Sequence, residues 1–156
     1  TGGFTDCLLQ RGARRVYAVD VGYGQLDWRL RNDPRVAVLE RCNIRHLEAE
    51  AIPDPITFSV IDVSFISLRL VLPCAIKFLA EQAMVIALVK PQFEAGIKEV
   101  CRGGIVRDET VREAVIDSTK GIANNLGFSC LGHLDSPLAG KKGNREMLLV
   151  LQWLSR

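Results

Sequence analysis

Imidazole is nearly missing from this chain: His46 and His133 are its only histidines. The cysteines, Cys7, Cys42, Cys74, Cys101 and Cys130, are odd in number, far apart and never in a Cys-x-x-Cys pair. That pattern excludes a recognisable zinc site and a disulfide framework, and no metal site is expected. The thiols are expected to be buried, apolar and kept in a reducing compartment. No apolar run approaches the roughly 20 residues of a membrane span, and no charged leader opens the chain. A soluble, cytoplasmic protein is expected, a leader lost upstream apart. Excess charge is lacking as well, since a net +2 is too small to announce a nucleic-acid partner by itself. Repeats, linkers and low-complexity segments are also missing, and with 156 residues, 48% of them hydrophobic, one domain is the default.

What is present is an alternation of short apolar runs and helical patterns. Phe58-Ser59-Val60-Ile61 reads as a strand buried on both faces, and it ends in Asp62. In open α/β sheets ligands bind at the carboxyl ends of strands, so an acid delivered there is a candidate for chemistry. Capping of the next helix is the rival role, for which Ser64 is better placed. Upstream, Thr1-Gly2-Gly3-Phe4 runs into a helix that stops at Gly12, either a ligand-binding glycine loop or an ordinary helix start. Arg15 to Asp20 is a strand ending in an acid where a dinucleotide fold places its ribose-binding carboxylate, although Asp20 also suits a turn before Val21-Gly22-Tyr23-Gly24. A helix from Gln25 to Arg31, a strand from Val36 to Glu40 and a helix from Arg45 to Ala51 follow; Asn43-Ile44 could recognise a purine edge or cap that last helix.

Beyond Asp62, the pattern predicts a helix from Ile66 to Glu81 kinked at Pro73 and a buried strand from Met84 to Val89 capped by Lys90. Ala95 to Asp108 is a basic loop with Lys98, Arg102 and Arg107, able to touch phosphates or simply to be solvated. A long amphipathic helix starts at Glu109 and ends near Gly127. Strands at Phe128 to Leu134 and Met147 to Leu151 are joined by a loop with Lys141 and Lys142, long enough for an antiparallel return. The fold class expected is α/β, with Asp62, Lys90 and Glu146 at strand ends.

Thr1 to Asp6, Val19 to Leu26, Asp62-Val63-Ser64-Phe65-Ile66-Ser67-Leu68, Leu88 to Glu94 and Gly143-Asn144-Arg145-Glu146 together resemble the hemolysin A family. These are TlyA-type ribosomal RNA ribose 2′-O-methyltransferases with an FtsJ-like catalytic domain. The resemblance covers nearly the whole chain. It implies a Rossmann-like, S-adenosylmethionine-dependent methyltransferase with a mostly parallel sheet and an antiparallel C-terminal strand. It implies S-adenosyl-L-methionine as cofactor, beside Thr1, Gly2, Gly3 and Phe4, with Asp20 and Val21 near the ribose, Asn43 and Ile44 near the adenine, and Asp62 at the reacting end. It also implies a Lys-Asp-Lys-Glu tetrad whose last three members are Asp62, Lys90 and Glu146. The first lysine, the strand that carries it and an S4-type RNA-binding domain belong upstream of the glycine loop in that family, so residues 1–156 are expected to be an N-terminally incomplete methyltransferase domain.

The tetrad side chains suit the chemistry. A ribose hydroxyl must be held in line with the sulfonium methyl and relieved of its proton. Lys90 would stabilise the developing oxyanion, Asp62 would orient Lys90, and Glu146 would hold the ammonium and position the ribose. The expected partner is ribosomal RNA or a ribosomal subunit, reached through Lys98, Arg102, Arg107, Lys141, Lys142 and Arg145. Two rivals are an NAD-dependent oxidoreductase, which lacks the full Gly-x-Gly-x-x-Gly spacing here, and a membrane-active hemolysin, for which no unclaimed apolar face is evident.

Overall fold

A computed structural model describes residues 1–154; the side chain of Lys141 lies outside the described set, and with it the phosphate contact expected there. Two compact units divide the chain, Thr1–Pro53 and the remainder from Asp54. No helix of the described residues is long and apolar enough to cross a membrane.

The first unit contains α1 (Gly3–Gln10), β1 (Val16–Val19), α2 (Trp28–Arg31) and β2 (Val36–Leu39). β1 and β2 pair in parallel, Val16 opposite Val36 through Val19 opposite Leu39. Leu9, Val16 and Leu30 form its buried centre, with Leu8, Ala13, Leu26 and Val36 around them. Gly2 begins α1 at φ 93°, and a Cβ there would lie 2.5 Å from Leu26 Cδ1 and 2.7 Å from Leu30 Cδ1. Both the left-handed backbone and this close approach require glycine. α2 is shorter than the predicted Gln25 to Arg31, because Asp27 caps it by accepting from the Arg29 N–H. The predicted helix from Arg45 to Ala51 does not form. Only a 3-10 turn at Ala49–Ala51 is present, and no residue of the segment is buried, so nothing offsets the cost of helix nucleation.

The second unit runs β3 (Ile56–Ile61), α3 (Leu68–Ala75), β4 (Leu79–Val89), α4 (Pro91–Glu94), α5 (Glu109–Leu126), β5 (Phe128–Asp135) and β6 (Met147–Trp153). Its sheet order is β3-β4-β6-β5. β3 and β4 are parallel, whereas β6 runs against both β4 and β5, which is the α/β arrangement with an antiparallel C-terminal strand. α5 starts at the Asp108 cap and stops at Gly127; it buries Val115, Ile116 and Ala123.

Three expectations are corrected. β3 is not buried on both faces: among the described residues its one strand neighbour is β4, and Phe58 is 40% exposed. The helix after Asp62 starts two residues late and stops early. Past a 3-10 turn at Ile76–Phe78, Leu79 is taken by the ladder to Ile56, where strand pairing overrides a continuing helical pattern. The five cysteines are free thiols, but Cys7 and Cys101 are exposed and the other three half-buried, so they are not core residues.

Candidate active site

Strand ends deliver the candidate groups of the second unit. Asp62 follows β3 directly and Lys90 follows β4. Glu146 precedes β6, and because that strand is antiparallel its first residue, Met147, pairs with Val89, the last of β4. The reversed strand thus brings a late acid to the edge where the parallel strands end. Lys90 Nζ lies 2.6 Å from Asp62 Oδ1, with the lysine side chain 12% and the aspartate 44% exposed. The same ammonium donates to Ser64 Oγ at 3.1 Å. Glu146, only 7% exposed, accepts instead from Gln92 Nε2 at 3.0 Å. Among the described residues no ion pair joins Glu146 to Lys90, so the expected grip of this carboxylate on the ammonium is replaced by one on the amide two residues further on.

Lys90-Pro91-Gln92-Phe93-Glu94 is tied to the stretch after β3 at several points. Beyond the Lys90 contacts, the Phe93 and Phe65 rings sit 5.0 Å apart. Glu94 accepts from Ser67 Oγ at 2.7 Å and from the Leu68 N–H at 2.8 Å. Burial raises the Glu94 carboxyl above its ordinary range against the pull of those donors. The cap of α3 is Ser67, which accepts from the Arg69 N–H; Ser64 is not the cap, because Phe65 at φ 63° delays the helix. Ser64 is spent on Lys90.

The two basic loops are stitched to each other. Asn144, 2% exposed, accepts from the Val106 N–H at 3.0 Å and donates to the Gly104 carbonyl at 2.8 Å. Lys142 Nζ donates to the Gly103 carbonyl at 2.7 Å. Lys98, Arg102, Arg107 and Lys142 are exposed. Arg145 is exposed as well, but it is paired with acids. Its guanidinium lies 3.2 Å from Glu109 and 2.9 Å from Asp135, two carboxylates shared with the buried Arg112, so the phosphate contact expected of it competes with internal partners.

In the first unit, α1 begins without a side-chain cap, and Thr1, Gly3 and Phe4 are exposed there. A Cβ on Gly3 would meet nothing within 4 Å. Asp20 follows β1, is exposed with Val21, and is oriented by the Gly22 N–H at 2.7 Å from Oδ1. Asn43 and Ile44 are half-buried. The Asn43 side-chain oxygen accepts from the Arg45 N–H; this closes a local turn, since the helix that Asn43 was weighed as capping does not form. Gln92, Asn144 and Glu94 were given no role in the sequence, although all three lie in the stretches that carry the family resemblance.

The model of the FtsJ-like methyltransferase family matches residues 1–153. The 16S/23S rRNA (cytidine-2′-O)-methyltransferase TlyA of Mycobacterium tuberculosis is 49% identical over 152 residues, 97% of this chain and 57% of that protein. A solved Streptococcus thermophilus protein provisionally described as a hemolysin superposes with a TM-score of 0.95 at 47% identity, over 99% of this chain and 56% of that one. The chain therefore spans little more than half the length of these relatives. The N-methyltransferase NodS of Bradyrhizobium japonicum, solved with S-adenosyl-L-homocysteine, shares the fold with a TM-score of 0.64 at 15% identity, over 99% of this chain and 74% of that one. With acid, lysine and acid gathered at one sheet edge and a family model spanning both units, the chain belongs to the FtsJ-like methyltransferase family.

Proposed function

We propose that this chain is the catalytic part of a cytoplasmic enzyme that methylates ribose 2′-hydroxyls of ribosomal RNA, using S-adenosyl-L-methionine. The observation that carries this reading is the Lys90–Asp62 pair at 2.6 Å, set at the carboxyl ends of adjacent parallel strands. A lysine held against a carboxylate and a serine hydroxyl has a fixed head, and a fixed ammonium can stabilise an oxyanion without reorganising. Lys90 faces the substrate hydroxyl, Asp62 orients Lys90, and Glu146 positions the ribose.

The first unit fits the cofactor. An uncapped helix start presents free N–H groups to a carboxylate, and an exposed, pre-oriented aspartate suits a ribose diol. Thr1, Gly2, Gly3 and Phe4 would hold the amino-acid end, Asp20 and Val21 the ribose, and Asn43 and Ile44 the adenine. When bound, the cofactor supplies the electrophilic methyl of its sulfonium. The tetrad's first lysine and an S4-type RNA-binding domain are assigned to the remainder of a longer protein, on the strength of the family resemblance.

The test is incubation of ribosomal subunits with labelled cofactor and the full-length protein, followed by mapping of the modified ribose. Label on a 2′-oxygen that disappears in Lys90→Met supports the proposal. Label on a base, or no transfer from protein that binds the cofactor, refutes it; dye release from vesicles by the same preparation would favour a membrane-active role instead.

A further inference from the structure

We propose that Gln92 is the positioning residue for Glu146, and that α4 uses it to set that carboxylate in register with Lys90. The inference rests on the catalytic reading above and extends it to a residue with no role assigned so far. Glu146 is almost fully buried and is confined from two sides. On one, Gln92 Nε2 donates to Oε1 at 3.0 Å. On the other, a Cβ added to Gly140 would lie 2.2 Å from Oε1 and 2.5 Å from Cδ, so the loop backbone itself forms the wall. The carboxylate can neither slide toward the loop nor swing away without breaking the hydrogen bond from the Gln92 amide.

The amide is used in an uneconomical way. A carboxylate offers acceptors only, so Gln92 must turn its NH₂ toward Glu146. Its Oε1 is then buried with no hydrogen-bond partner among the described residues. Leaving a buried acceptor unpaired costs stability. A residue present only to fill space would be served by methionine or leucine.

The placement on α4 supplies the coupling. Lys90, Phe93 and Glu94 all hold the stretch after β3, through Asp62 and Ser64, Phe65, and Ser67 with Leu68. Gln92 alone reaches to Glu146. One short helix therefore fixes the lysine to the first acid and the last acid to the same backbone.

Two readouts test this on the full-length protein. The first does not involve turnover: the Gln92 side-chain amide resonances should be shifted from free-amide positions and should return toward them in Glu146→Ala, which removes the acceptor. Resonances indifferent to that substitution would overturn the contact. The second is a cycle of Gln92→Met, Glu146→Gln and the double variant in single-turnover methylation, with cofactor affinity measured alongside by calorimetry. Gln92→Met should lower the rate about 10²-fold, the scale of a misplaced catalytic group, with cofactor Kd unchanged and no further loss in the Glu146→Gln background. A wild-type rate in Gln92→Met, or an equal loss in both backgrounds, would sink the proposal. Should Gln92→Met not fold, Gly140→Ala presses on Glu146 from the opposite side and must show the same non-additivity. Wild-type protein that transfers no methyl group refutes the function while the resonance experiment still decides the contact.

Discussion

Single residues here act mostly through charge placed against charge. The Lys90 ammonium is largely withdrawn from water while Asp62 is half in it, so deleting the acid strands a buried cation, whereas deleting both removes the problem. Asp62→Asn should therefore destabilise the protein by about 1–2 kcal/mol, given the aspartate's exposure, and Asp62→Asn with Lys90→Met should recover most of that loss in urea unfolding while abolishing methyl transfer. Equal losses from the single and double changes would deny the coupling. Asp33 shows the same logic in pH. The side-chain hydrogen bonds from Arg35, and then the Arg35 backbone N–H, lower its carboxyl from the ordinary 3.8 to about 2. A carboxyl depressed on folding adds stability above its unfolded value and forfeits it as the pH falls through the folded one. The contribution is thus complete near pH 5 and lost on the way to about pH 2. Asp33→Asn should flatten the unfolding midpoint across that window relative to wild type and leave its pH dependence above 5 unchanged.

At the scale of elements, the sequence was most legible where one apolar run makes one strand. β1, β2, β4, β5 and β6 end within a few residues of expectation, and Asp20, Asp62 and Lys90 sit at strand ends because such runs stop where charge begins. It was least legible where a distant partner decides. Leu79 reads as helical until its ladder partner Ile56 is known. Asn144 looked like one residue of a motif. Its meaning lies in contacts with Val106 and Gly104, 38 and 40 residues away, a separation no local pattern encodes. Asn144→Ala should leave those two backbone groups without their partner at a cost of roughly 2–4 kcal/mol, read as a lowered unfolding midpoint. Asn144→Asp keeps the acceptor for Val106 but sets a buried carboxylate oxygen against the Gly104 carbonyl, and should lose at least as much; a near wild-type midpoint in Asn144→Asp would show that the bond to Gly104 is not what the residue supplies.

For the molecule as a whole, a net charge of +2 means that the RNA affinity proposed above would have to come from local placement rather than from a general positive field. The candidates for that placement are the two basic loops, which Asn144 and Lys142 tie to each other. Arg102 and Arg107 are exposed there, while Arg145 is held between Glu109 and Asp135. These cations differ in what reversal should do. Phosphate contacts release counterions, each worth a slope of about 0.7–0.9 in log affinity against log salt. Arg102→Glu and Arg107→Glu should therefore weaken binding of ribosomal RNA at low salt, reduce the salt slope by about one apiece and leave the melting temperature near wild type. Arg145→Glu places a third carboxylate beside two others. It should lower the melting temperature, since like charges that were bridged now repel across the start of α5 and the end of β5. A salt slope that falls with Arg145 and not with Arg102 or Arg107 would move the RNA surface to the Glu109–Asp135 side of the domain.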